Sequence, residues 1–247
     1  MSSLLSIVVP AYNEAGRLGA GLASVLAFLS DHYPSHELII VDDGSTDDTG
    51  GVVTRGIAGH ARARLIGYAP NRGKGHAVRT GVLDTHGERV LFMDADLSTP
   101  LSEIPRILAA LDAHQAQIVI GSRGLPAAQI RQRPPFGRRL ASRIFDGIKH
   151  QLVGLRGLRD TQCGFKLFNG PIARQLFAHS RVDRFMFDVE ILYLAEQAGL
   201  KIVEFPVAWA DMPGSKVRFV EGVVNMFRDL WRIRRMHPRP IRVGPER

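Results

Sequence analysis

The sequence predicts an α/β protein built on a doubly wound, mostly parallel sheet. Short β-rich runs alternate with stretches of helical periodicity, and the loops after several of those runs carry carboxylates and glycines at one end of the sheet. The clearest case is Val90-Leu91-Phe92-Met93, an apolar run that stops at Asp94-Ala95-Asp96 and then meets a Ser98-Thr99-Pro100 helix start.

Leu4 to Val9 reads as the first strand, closed by Pro10-Ala11-Tyr12-Asn13-Glu14, and a helix follows with Leu18, Leu22, Val25, Leu26 and Leu29 at three-to-four-residue spacing. Glu37 to Val41 is a second β-rich run ending in Asp42-Asp43-Gly44-Ser45-Thr46-Asp47, where Ser45 or Thr46 can cap the next helix. Arg64 to Tyr68 reads as a third strand, and Asn71-Arg72-Gly73-Lys74-Gly75 opens a helix expected from about His76 to His86. Arg89 to Met93 is the next strand, Pro100 to His114 a helix, and Gln117 to Ile120 another strand before Gly121-Ser122-Arg123. A later helix runs through Ile191 to Ala198. There is no internal repeat and no low-complexity segment.

Charge is unevenly spread. The formal net charge is +8. Nine Arg and Lys residues fall in 121–160 against Asp146 and Asp160, and nine more in 213–247 against Glu221, Asp229 and Glu246. The rest of the chain is therefore mildly acidic, and the two basic segments point to a polyanion or an anionic membrane surface. Both have an amphipathic pattern: Phe136, Leu140, Ile144, Ile148 and Leu152 within 136–154, and Val223, Phe227, Leu230 and Trp231 near the C-terminus. Such helices suit a membrane interface, or they pack the apolar stripe on the domain and leave the arginines solvated. The expected division is a main α/β domain over 1–212, with the first segment inside it, and a loop plus basic helix over 213–247.

Cys163 is the only cysteine, which excludes an intrachain disulfide or a cysteine-based zinc cluster. Met1 to Ser6 lacks a basic leader and no apolar stretch approaches the roughly 20 residues of a membrane span. A cytoplasmic chain resting peripherally on a membrane is expected. The sequence pI of about 10.2 also raises a nucleic-acid-binding α/β domain, but no zinc-finger, RRM or KH signature accompanies it.

The ordered set Pro-Ala-Tyr-Asn-Glu, Val-Asp-Asp-Gly-Ser-Thr-Asp, Asp-Ala-Asp and Gly-Ser-Arg over residues 4–123 resembles the family 2 nucleotide-sugar glycosyltransferases of GT-A fold. Arg159-Asp160-Thr161-Gln162-Cys163-Gly164-Phe165-Lys166 and Arg184-Phe185-Met186-Phe187-Asp188-Val189-Glu190 are similar to the subgroup that makes polyprenyl- or dolichyl-phosphate sugars. The resemblance implies inverting transfer of glucose from UDP-glucose to a polyprenyl phosphate, with mannosyl transfer from GDP-mannose as the alternative. Pro10, Ala11, Tyr12 and Glu14 would line the nucleotide pocket, Tyr12 offering a ring face and Glu14 an acceptor. Asp43, with Asp42 second, would accept a uracil N–H. Gly73 and Lys74 precede a helix N-terminus suited to phosphate oxygens, without Walker spacing. Asp94 and Asp96, with Ala95 between them, would hold Mg²⁺ or Mn²⁺ on the diphosphate.

A phosphate monoester acceptor is already mostly dianionic at neutral pH and needs cations more than a general base. Arg123, Arg139, Ser215 and Lys216 are the candidates, the last two in Pro213-Gly214-Ser215-Lys216-Val217, although Asp211-Met212-Pro213 stands where the mannosyl-type pattern has an Arg. Gln162, Asp188 and Glu190 would hold the sugar hydroxyls. Asp188 could instead be a base or a helix cap, and Gln162 and Lys166 could merely fix a turn. Cys163 reads as a small packed residue.

Overall fold

The computed structural model describes residues 4–130, 153–155, 157–210 and 219–244, with side chains in the last span described from Arg228 onward. Arg139, Ser215, Lys216 and nearly all of the 136–154 segment lie outside the described residues.

A seven-stranded sheet organises the chain. Its strands are β1 (Leu5–Ala11), β2 (His36–Asp43), β3 (Ala63–Tyr68), β4 (Arg89–Met93), β5 (Ile118–Ser122), β7 (Phe165–Asn169) and β8 (Ile202–Pro206), in the order β3-β2-β1-β4-β7-β5-β8. β7 alone runs antiparallel to its neighbours β4 and β5. Two short strands, β6 (Gln129–Ile130) and β9 (Ala208–Trp209), pair beside it. The strands the sequence predicts all form, with ends shifted by up to two residues; β1 and β5 each start one residue late.

Helices cover both faces, as a mostly parallel sheet requires. On one face pack α1 (Ala15–His32), α2 (Thr49–Gly56) and α4 (Glu103–Ala113), and the five leucine and valine positions of the expected α1 stripe are all buried there. On the other lie α3 (Lys74–Leu83), α5 (Gly170–His179), α6 (Phe187–Gln197) and the end of α7 (Phe219–Met236). Alternation along each strand separates the two cores: Phe165 and Leu167 of β7 face α1 and α4, while Phe168 faces α5.

Some boundaries moved. α2 starts at Thr49 rather than after Ser45 or Thr46, because those two residues are tied to Asn13: Ser45 Oγ accepts from the Asn13 N–H, and Asn13 Oδ1 accepts from the Thr46 N–H at 2.7 Å. α3 begins at Lys74, two residues early, and stops at Leu83. The C-terminal stripe splits. Leu230 and Ile233 are buried against the sheet's α3 side, whereas Trp231 is 56% exposed with the Arg235 guanidinium 5.0 Å over its ring. Trp231 thus belongs to the basic outer face and not to the apolar stripe, since a helix rotates successive residues by about 100°. No helix among the described residues is long and apolar enough to cross a membrane.

Candidate active site

The strand order reverses direction between β1 and β4, and ligands of open α/β sheets bind in the crevice outside the carboxyl ends of such strands. Pairing of β1 with β4 ends at Val8↔Phe92, while β1 stays paired with β2 as far as Ala11↔Asp42. The ends of β1 and β4 therefore part, with Tyr12 on one side and Asp94 on the other. Pro10 falls after the last β1–β4 pair, where its missing N–H costs no bond to β4.

A chain of contacts joins the strand-end motifs around that opening. Asn13 ties the first motif to the second, and the Glu14 N–H donates to Thr49 Oγ1 at 2.8 Å. Asp43 ties the second motif to the start of α3. Its carboxylate accepts from Tyr68 Oη, Asn71 Nδ2 and the Arg72 and Gly73 N–H groups at 2.7–2.9 Å. Gly73 follows with φ +108, and a Cβ there would lie 2.5 Å from the Asp183 carbonyl oxygen, so only glycine fits this approach.

Lys74, the first residue of α3, reaches across to β4, with its Nζ 2.6 Å from Asp94 Oδ1. Burial pulls the Lys74 pKa down, but Asp94, Asp188 and Asp96 outweigh it and raise it overall. Asp94 in turn rests on the segment before β7: its N–H donates to the Gly164 carbonyl at 3.0 Å, and its carboxylate occupies the space a Gly164 side chain would need. Asp96 Oδ1 accepts from the Ser98 N–H at 2.9 Å, while its other oxygen makes no bond among the described residues.

Beneath Asp94 lies a second pair. Lys166 is 1% exposed, donates to the Cys163 carbonyl at 2.6 Å and pairs with Asp188 from α6. Burial pushes the Asp188 carboxyl above its usual range, and Lys166 and Lys74 pull it back only in part. Burial likewise pushes the Cys163 thiol up to about 12, which fits packing and not nucleophilic chemistry.

Several expected roles change on these observations. Asp43 is 3% exposed and already accepts four donors, so it is no free acceptor for a base; Asp42 Oδ1 accepts from the Ser45 N–H, and its other oxygen accepts nothing among the described residues. Glu190 is 0% exposed and accepts from the Arg181 and Val182 N–H groups and from His237 Nε2 at 2.7–3.0 Å, so it anchors the C-terminal tail instead of meeting a sugar. Asp188 does not cap α6 or stand open to a sugar hydroxyl, because Lys166 holds it under the site.

Arg123 is spent on Asp160, to which its Nε and Nη2 donate at 2.7 and 3.0 Å, and its guanidinium lies 5.2 Å from the Trp209 ring centroid. Its fork is therefore not presented to an acceptor phosphate. Burial opposes ionisation of Asp160, yet Arg123 holds its carboxyl at about 2. Glu14 is engaged by Arg17 at 2.7 Å. Pro10 and Ala11 are buried and offer the crevice their backbone, whereas Tyr12 is 39% exposed. Ala95 sits half-buried between the two acids, and Gln162 is half-buried with its amide 3.9 Å from Met186 Sδ.

The donor set fits a divalent cation that shares its shell with a diphosphate. Among the described residues no three His, Cys, Asp or Glu side chains converge as a metal site. Mg²⁺ takes one or two carboxylates plus substrate phosphates in such places, and Asp94 and Asp96 supply that number.

Comparisons with known proteins agree with this architecture. The family model described as glycosyl transferase family 2 matches residues 6–177. A dolichyl-phosphate beta-glucosyltransferase of Dictyostelium discoideum is 38% identical over 241 residues, which are 93% of this chain and 73% of that protein. The Homo sapiens protein of the same name is 37% identical, over 93% of this chain and 74% of its own. Among solved structures, glucosyl-3-phosphoglycerate synthase of M. tuberculosis aligns with a TM-score of 0.65 at 22% identity, covering 97% of this chain and 82% of that one. Mannosyl-3-phosphoglycerate synthase of Rubrobacter xylanophilus gives 0.67 at 19%, covering 98% and 77%. Those two likenesses establish the shared fold.

Proposed function

This chain belongs to glycosyl transferase family 2, and on that premise we propose that it transfers glucose from UDP-glucose to dolichyl or another polyprenyl phosphate at a membrane surface, with inversion at the anomeric carbon. The observation that carries the reading is the placement of Asp94 and Asp96 at the strand-order reversal, tied to Lys74 and Gly164 from the neighbouring loops. The names of its relatives, 34–39% identical over most of the chain, supply the substrate pair.

In this reading the exposed Tyr12 ring receives the nucleotide base and Asp42 accepts from its N–H. Asp94 and Asp96 would hold Mg²⁺ or Mn²⁺, whose charge would offset that of the departing diphosphate. Lys74 and the N–H groups of the first turn of α3 add positive potential where those phosphates sit. Gln162, half-buried two residues before Gly164, contacts the sugar. The acceptor phosphate attacks without a general base, being dianionic already, and Arg139, Ser215 and Lys216 seat it. The outer face of α7, with Trp231 beside Arg228, Arg232 and Arg235, rests on the anionic interface.

The test is incubation with radiolabelled UDP-glucose, Mg²⁺ or Mn²⁺ and polyprenyl phosphate. Label should pass into the chloroform phase, and Asp96→Ala should abolish that transfer with the fold intact. No lipid-soluble label from any nucleotide sugar would reject the reading, and label from GDP-mannose alone would reassign the donor.

A further inference from the structure

Lys74 and Asp94 form an ion pair at the mouth of the crevice. Asp94 and Asp96 are the carboxylates the described residues offer to a cation in the crevice, and one Asp94 oxygen is already neutralised by an ammonium 2.6 Å away. A divalent ion arriving alone would have to displace that ammonium and would find two protein carboxylates at most. A nucleotide diphosphate changes both terms. It brings phosphate oxygens to complete the shell, and it offers the Lys74 ammonium a more highly charged partner at the same helix N-terminus.

The backbone around Lys74 is held by contacts that do not involve its side chain, whose ammonium pairs with Asp94. Gly73 is fixed by Asp43 and the His76 N–H by the Asp183 carbonyl at 3.0 Å, and a Cβ on Gly75 would meet the Val182 carbonyl oxygen at 2.4 Å. Lys74 can therefore turn its flexible four-carbon stem from Asp94 to a phosphate without α3 moving.

We propose that Lys74 is an internal counter-ion that occupies Asp94 until the nucleotide diphosphate draws it away, so that the divalent ion binds tightly only once the nucleotide is present. This rests on the metal assignment above and adds the sequence of events.

The experiment is titration of the full-length protein with Mn²⁺, free ion being read by electron paramagnetic resonance, with and without UDP and corrected for Mn²⁺ held by UDP itself. The wild type should bind Mn²⁺ weakly alone and about tenfold or more tightly with UDP. Lys74→Met and Lys74→Gln should bind Mn²⁺ alone about tenfold more tightly than the wild type, and UDP should add less. Lys74→Arg should behave as the wild type. Equal Mn²⁺ affinity with and without UDP in the wild type would overturn the proposal, as would no gain in a folded Lys74→Met or Lys74→Gln. Asp96→Asn separates the two readings: it should lose Mn²⁺ under both conditions, and retained binding would instead refute the metal assignment.

Discussion

The carboxylate of Asp94 lies directly over Gly164, so that a methyl group on that glycine would stand 1.9 Å from Oδ2 and 2.5 Å from Oδ1. No contact of that length survives, and because the Asp94 N–H is held by the Gly164 carbonyl it is the Asp94 side chain that must swing away. Gly164→Ala should therefore lower kcat/KM by about a hundredfold while circular dichroism remains native. Retained turnover would mean that the position of Asp94 does not matter to the reaction.

Lys166 and Asp188 form a buried pair, and removing one partner strands the other's charge away from water. Lys166→Met should cost about 3–5 kcal/mol, seen as a melting temperature lower by roughly 10 °C in calorimetry. Lys166→Met combined with Asp188→Leu should be milder than the single change. If the double variant is the worse of the two, the pair is not what stabilises this layer.

Glu190 gathers two backbone N–H groups and His237, and Glu190→Ala leaves all three donors without it. Of the three, His237 is buried, and a buried donor so orphaned costs about 1–3 kcal/mol. Hydrogen–deuterium exchange should accelerate at Arg181 and Val182 and along 237–244, where Gln175 holds Gly244 by two further bonds. Unchanged exchange there would remove Glu190 as the anchor of the tail.

Acid stability should be set in part by Glu37 and Asp160. Burial works against both carboxylates. The His86 N–H, Ser6 and Arg64 nevertheless bring Glu37 from 4.5 to about 2, and Arg123 brings Asp160 from 3.8 to about 2. Both folded values lie below the unfolded ones, so their stabilisation is complete above about pH 4.5 and is lost as pH falls toward 2. Urea unfolding at pH 5 and pH 3 should show this loss, and Glu37→Gln should flatten it. An equal slope in that variant would exclude Glu37 as a contributor.

The sequence by itself determined what repeats locally. The α1 stripe, the apolar runs of β1, β2 and β4, and the carboxylates at their ends were legible because periodicity and turn chemistry act within a few residues. β7 was legible only as a motif, since Phe165-Lys166-Leu167-Phe168 carries no sign that it inserts antiparallel between β4 and β5. Tertiary structure alone decided which acids are free. Asp188 meets a lysine 22 residues away, Asp160 an arginine 37 away and Glu190 a histidine 47 away, distances over which spacing predicts nothing. A carboxylate's chemistry depends on the donors and the water that reach it, and only the packed chain specifies those.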